Sequence, residues 1–132
     1  MAPEPGTAET SPLHQYQEHL RNGSFRYQFS PRAGRGFFPP RVLCPFTGAT
    51  ELEWREASGF GTVHATTVVH PRDGEPYNVA LVECDEGFRL MTRVEGIDPA
   101  AVAIGQRVRV SIRLPDGDEA PHPVFEPVAG EA

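Results

Sequence analysis

The sequence predicts a small, mainly β fold: a closed or partly open barrel of five short strands, preceded by a helix and a loop-rich lobe. Three observations predict it. Fourteen prolines and thirteen glycines in 132 residues favour short strands and turns over long helices. Short stretches rich in β-branched residues, several with period-two alternation, follow one another through the second half of the chain. Turn signals separate them: Pro71-Arg72-Asp73-Gly74, Asp85-Glu86-Gly87 and Asp116-Gly117-Asp118. Closing such strands into a barrel removes exposed sheet edges.

Each element has its own signal. Ser11 to Leu20 reads as a helix, with Ser11 as cap, Pro12 in the first turn and a stripe of Leu13, Tyr16, Gln17 and Leu20. Asn22-Gly23 stops it. Pro39-Pro40 holds an extended crossing inside the lobe of residues 24–50. The five strands are expected at Thr62–His70, Tyr77–Cys84, Phe88–Val94, Arg107–Leu114 and Pro123–Val128. In the first, Val63, Ala65, Thr67 and Val69 are the expected core face, leaving His64 and His70 in solvent. In the fourth, Val108, Val110, Ile112 and Leu114 face one way, and Arg107, Arg109, Ser111 and Arg113 the other. Asp98-Pro99 starts one helical turn within Ile97–Ile104. The division that follows is a disordered leader over 1–10, helix and lobe over 11–54, barrel over 55–128 and a disordered tail over 129–132.

The lobe has the punctuation of a zinc ribbon without its ligands. Ser30-Pro-Arg-Ala33-Gly34 and Cys44-Pro-Phe-Thr47-Gly48 stand where two C-x-x-C knuckles would, and a structural zinc site needs four thiolate or imidazole ligands. One of four is present, so no metal is expected. Phe29, Phe37, Phe38 and Phe46 are the expected apolar replacement for the folding free energy a metal would supply.

Charge is unevenly spread. All twelve basic residues are arginine. Residues 20–50 hold five of them, Arg21, Arg26, Arg32, Arg35 and Arg41, and no acid; residues 51–132 hold fifteen acids and seven arginines. Half of the twelve aromatics lie in that basic segment. A contact surface, since arginine and aromatics are enriched in interface cores, and a local core with solvated arginines both account for this. Two cysteines make no disulfide framework, and a reducing cytoplasm is the expected compartment. No apolar run approaches the roughly 20 residues that span a bilayer.

Little in the chain points to catalysis. Cys44 has no histidine in its own segment and reads as a packed small hydrophobe; Cys84 ends a buried strand. Asp73, Glu75, Asp85 and Glu86 occupy turns, where acids serve conformation. His64 and His70 lie about 20 Å apart along a strand, too far to share a metal. Gly59 and Gly61 form no phosphate loop and suit a bend where lobe meets barrel. The stripe of Arg107, Arg109 and Arg113 fits either phosphate binding or the solvated face of a barrel strand.

The order of these motifs carries a resemblance. A capped helix, Phe37-Phe38-Pro39-Pro40-Arg41, Cys44-Pro45-x-x-Gly48, Glu53-Trp54, Ser58-Gly59-Phe60-Gly61-Thr62-Val63, Gly105-Gln106-Arg107-Val108 and Val124-Phe125-Glu126-Pro127 together resemble the acyl-CoA-associated OB-fold family with an N-terminal rubredoxin-like zinc ribbon, over roughly residues 13–128. The resemblance implies an OB-fold and a non-catalytic accessory subunit. Its partner would be a thiolase-like, aldolase or hydratase enzyme whose acyl-CoA site it helps to shape, with acyl-CoA as a ligand shared between the two. The residues expected at the contact are Arg26, Arg32, Arg35, Phe37, Phe38 and Arg41, with Trp54 and Phe60 at the lobe junction. The alternative is a single-stranded nucleic-acid binder, a common use of OB-folds; it needs a basic barrel face with exposed aromatics, which the acidic barrel segment does not supply.

Overall fold

The structure, a computed structural model, describes residues 11–115 and 119–128. Helix α1 spans Pro12–Arg21. The Ser11 hydroxyl accepts from the His14 amide at 3.1 Å, satisfying one of the orphan donors of a helix start. Tyr16 and Leu20 of the expected stripe are buried, whereas Leu13 is exposed. The expected leader and tail, and the Asp116-Gly117-Asp118 turn, lie outside the described residues.

Two antiparallel sheets follow. The lobe sheet has the order β2-β1-β3, with β1 Arg26–Ser30, β2 Arg35–Phe37 and β3 Glu53–Glu56. Because β3 pairs with β1 from Arg26↔Glu56 to Phe29↔Glu53, the lobe sheet continues two residues past the expected boundary at 54.

The second sheet contains β4 Phe60–Val69, β5 Tyr77–Cys84, β6 Arg89–Thr92, β7 Arg107–Arg113 and β8 His122–Pro127, in the order β6-β5-β4-β7-β8. A parallel bridge, Val94↔Phe125, closes it. The Phe125 amide donates to the Arg93 carbonyl at 2.9 Å, and the Glu95 amide to the Phe125 carbonyl at 2.8 Å. Five strands closed by one parallel contact form an OB-type barrel. The expected helical turn is a 3₁₀ turn, Pro99–Ala101, capped by the Asp98 carboxylate on the Ala100 amide at 2.9 Å. Gly61 lets β4 cross close to β5: a Cβ there would stand 2.8 Å from the Glu83 carbonyl oxygen.

One expected face is corrected. The β4–β5 register shifts between Val63 and Ala65, so a bulge at His64 turns the rest of the strand over. Val63 is buried, but Ala65 and Thr67 are exposed. Val68 and Val69 are half-buried, and His64 and His70 are exposed. Asn78 secures the irregular region: its amide nitrogen donates to Thr66 Oγ1 at 2.6 Å and the Thr67 carbonyl at 3.2 Å, and its Oδ1 accepts from the Val94 amide at 3.0 Å.

Helix, lobe and barrel share one hydrophobic core. Tyr16, Leu20, Phe25 and Tyr27 from the N-terminal part pack in the same cluster as Val63, Val82, Phe88, Val108 and Phe125 of the barrel. Phe88 is its hinge point, with ring centroids 4.7 Å from Tyr27, 6.2 Å from Phe25 and 6.4 Å from Phe38.

Cys84 lies in this core, and burial, reinforced by Glu86, Asp85 and Glu83, pushes its thiol up to about 12. A folded-state pKa above the unfolded one gives stability that is complete below the unfolded value and declines as pH rises toward the folded value. Stability should therefore fall between about pH 9 and 12. Thermal melts across that range should show a shallower alkaline decline for Cys84→Ala than for the wild type. Buried Tyr16 is also pushed up, so part of the decline should persist in the variant.

Candidate partner-docking surface

The far end of the lobe is built from two turns of the same design. In the first, the Gly34 amide donates to the Ser30 carbonyl at 2.7 Å and the Ala33 amide to Ser30 Oγ at 3.2 Å. In the second, the Gly48 amide donates to the Cys44 carbonyl at 2.8 Å, and the Phe46 and Thr47 amides to Cys44 Sγ at 3.4 Å. Gly34 and Gly48 have φ of 71° and 76°, the left-handed region that disfavours a side chain. Ser30 and Cys44 are both buried.

Burial raises the Cys44 thiol. Hydrogen bonding to the Ser30 and Thr47 hydroxyls and to the Phe46 and Thr47 amides outweighs this, leaving the thiol at about 7. The four ribbon positions, Ser30, Ala33, Cys44 and Thr47, do not fit a zinc ion, having one thiolate where a structural site needs four soft or imidazole donors. Among the described residues no group of three or more His, Cys, Asp or Glu side chains is placed to hold a metal.

The arm between the turns is held by a residue that the sequence did not single out. Gln28, buried on β1, donates from Nε2 to the Arg41 carbonyl at 2.9 Å and accepts the Arg41 amide on Oε1 at 2.6 Å. The Phe38–Pro39 peptide within the arm is cis. Gln28→Ala leaves both Arg41 backbone groups without this partner and should cost about 1–3 kcal/mol; chemical denaturation measures it.

Of the residues expected at a contact surface, only some reach it. Phe37 is corrected to an interior position, and Phe38 is half-buried. Phe37 is 5% exposed and meets the Phe46 ring edge-on at 6.3 Å; Phe38 packs between Tyr16, at 5.3 Å, and Phe88. Burial leaves little of Phe37 for a partner, whereas Phe38 keeps part of its surface exposed. Arg26 is half-buried and donates to Ser24 Oγ at 2.8 Å. Trp54 ties the lobe to the helix: its indole N–H donates to Gln15 Oε1 at 2.9 Å, and His19 stands edge-on at 4.9 Å. Phe60 is half-buried at the barrel entrance, beneath the Arg107 guanidinium at 5.8 Å.

Arg32, Arg35 and Arg41 are exposed, and three apolar side chains join them: Val42 is 68% exposed, Leu43 48% and Phe46 46%. Arg35 covers Phe46, with its guanidinium carbon 3.9 Å from the ring centroid. Arg32 borders a shallow depression lined by Thr47 to Glu51. Phe46, expected as core, is therefore surface. Nothing in the local pattern distinguished Val42-Leu43, which lies beside Pro-Pro with no strand or helix periodicity.

The electrostatics separate lobe from barrel. Among the described residues Arg32, Arg35 and Arg41 make no ion pair. Several barrel arginines are matched: Arg89 to Glu83 at 3.0 Å, Arg107 to Asp85 at 2.7 Å, and Arg113 to Glu95 at 2.8 Å and Glu126 at 3.5 Å. The Arg107 hydrogen bond, against a smaller effect of burial, holds the Asp85 carboxyl below its ordinary value. Two of the three arginines of the β7 stripe are thus committed to carboxylates of the same barrel.

Comparison with known proteins places the fold in a family. The family model for the ChsH2 C-terminal OB-fold domain matches residues 54–113. A DUF35 domain-containing scaffold protein of Methanocaldococcus jannaschii is 37% identical over 94 residues, which cover 65% of this chain and 67% of that protein. The chain belongs to the DUF35 family. A probable enoyl-CoA hydratase alpha subunit of Thermomonospora curvata is 41% identical over 93 residues, covering 67% of this chain but 29% of the longer protein. Among solved structures, a chain of the Ltp2-ChsH2(DUF35) aldolase superposes with a TM-score of 0.75 at 32% identity, covering 91% of this chain and 97% of that one. The DUF35 likeness thus extends through the lobe as well as the barrel, and the expected OB-fold is the fold found. No helix among the described residues is long and apolar enough to cross a membrane.

Proposed function

We propose that this chain is a non-catalytic accessory subunit of an acyl-CoA enzyme of the aldolase, thiolase-like or hydratase type. It docks through the end of its lobe and helps to shape the partner's acyl-CoA site. The observation that carries this is the pairing of a DUF35 likeness to a chain of an aldolase assembly with exposed Val42, Leu43 and Phe46 in the same lobe as three exposed arginines, one of them over Phe46, that lack carboxylate partners among the described residues. An apolar centre with a charged rim is the anatomy of a protein interface. The partner face that fits is acidic, with an apolar recess for Phe46. The helix and lobe of residues 11–54 act as the docking arm, and the OB barrel as the body that the arm positions. The ion-paired arginines of the barrel leave a poorer path for a nucleic-acid backbone, which needs free cations along a groove.

Affinity capture of the tagged chain from its source cells, read by mass spectrometry, tests the proposal. An acyl-CoA aldolase, thiolase-like enzyme or hydratase recovered in fixed stoichiometry is expected. Acyl-CoA turnover by the isolated chain, or salt-sensitive capture of single-stranded nucleic acid in its place, would refute it.

A further inference from the structure

We infer that the lobe closes without a metal ion, its second turn being fastened to β1 and β2 by side chains, while the two turns still hold the four positions of a tetrahedral thiolate site. The fastening is on both sides of the second turn. Before it, the Gln28 amide grips the Arg41 backbone through two hydrogen bonds. Within it, Phe46 packs on Phe37 and under Arg35. At its base, buried Cys44 accepts on its sulfur from the Phe46 and Thr47 amides, and buried Ser30 of the first turn accepts on its hydroxyl from the Ala33 amide. Metal binding commonly supplies the folding free energy of so small a lobe; here the same two segments are joined by packing and hydrogen bonds to strands already anchored in the core.

The turns are nonetheless equivalent. Both have a buried residue at the first position, proline at the second, an amide at the fourth aimed back at the first side chain, and a left-handed glycine at the fifth. The Thr47 amide reaches the Cys44 sulfur at 3.4 Å, and the Ala33 amide occupies the matching position of the first turn. The spacings Ser30-x-x-Ala33 and Cys44-x-x-Thr47 are those of paired metal-binding knuckles.

The test has two arms. Wild-type protein, purified and then dialysed against a strong chelator, should contain far less than one zinc per chain and melt at an unchanged temperature. Near-stoichiometric zinc, or a melting temperature that falls on chelation and recovers with zinc, would overturn metal-free closure. The triple variant S30C/A33C/T47C should bind one cobalt(II) per chain with the visible absorption of tetrahedral thiolate coordination. If the variant folds only with metal, it is refolded with cobalt present. A folded variant that binds no cobalt, or a variant that cobalt cannot fold, would overturn the retained geometry and leave the wild-type arm standing on its own result.

Discussion

Reversing the three lobe arginines, Arg32→Glu with Arg35→Glu and Arg41→Glu, should weaken binding to the acyl-CoA enzyme by on the order of 100-fold or more, because like charges would then face the acidic partner surface proposed for this lobe. The fold should be kept, with a small loss of stability from Arg35→Glu, which uncovers the Phe46 ring. All three side chains are exposed and form no ion pair among the described residues, and surface substitutions of that kind cost little stability. The loss should appear first in the association rate and should shrink as salt rises, since exposed charges are screened beyond about 8–10 Å at physiological ionic strength. Phe46→Ala makes the complementary test. It removes an exposed ring that rests on Phe37, so it should raise the dissociation rate with a weaker salt dependence. Isothermal titration and stopped-flow binding at two salt concentrations separate the two effects. Loss of affinity at only one of the two kinds of site would mean that the surface is either purely electrostatic or purely apolar.

Phe88→Ala should be the most damaging single change to stability, costing about 3–5 kcal/mol. The ring is 2% exposed and touches Phe25, Tyr27 and Phe38, so its removal opens a cavity between the lobe and barrel, not inside either. The wild type should unfold in one transition, because both parts bury their apolar faces in the same cluster and neither can lose it alone. In the variant, Trp54 fluorescence, which reports the lobe and helix, should shift to lower denaturant together with far-ultraviolet dichroism, which reports the barrel. Separation of the two curves would show the lobe to be an independent unit.

The barrel was legible because its strands repeat a simple period between strong turn signals. Tyr77–Cys84 begins and ends where its nearly continuous apolar run and the Asp85-Glu86-Gly87 turn place it. The helix was legible from Ser11, Pro12 and Asn22-Gly23. What failed has one physical root: burial of a residue is set by partners far away in the chain. A bulge at His64 shifts register by one residue and reverses a face, and no residue type announces it. Phe37 and Phe38 sit among arginines in sequence, yet their rings turn toward Phe46, Tyr16 and Phe88. Gln28 is an ordinary strand residue until the Arg41 backbone, thirteen positions on, is brought against it. The proposed docking surface was half legible. Its arginines stood out as a run without acids, whereas Val42, Leu43 and Phe46 had no pattern separating them from a small local core.

A single core also explains how a lobe with few strands can serve as a docking arm. Packing of Tyr27, Phe25 and Phe38 on Phe88 fixes the lobe sheet to the barrel, and Trp54 fixes it to α1 through Gln15. A partner that grips the two turns would therefore orient the barrel as well.

Hydrogen exchange of the backbone amides, compared between the free chain and its complex with the acyl-CoA enzyme, tests this account most directly. Protection on binding should concentrate in residues 31–48, around Arg32, Arg35, Arg41 and Phe46, with the outer face of β7 unchanged. Protection confined to the barrel, with the two turns exchanging as they do in the free chain, would contradict it.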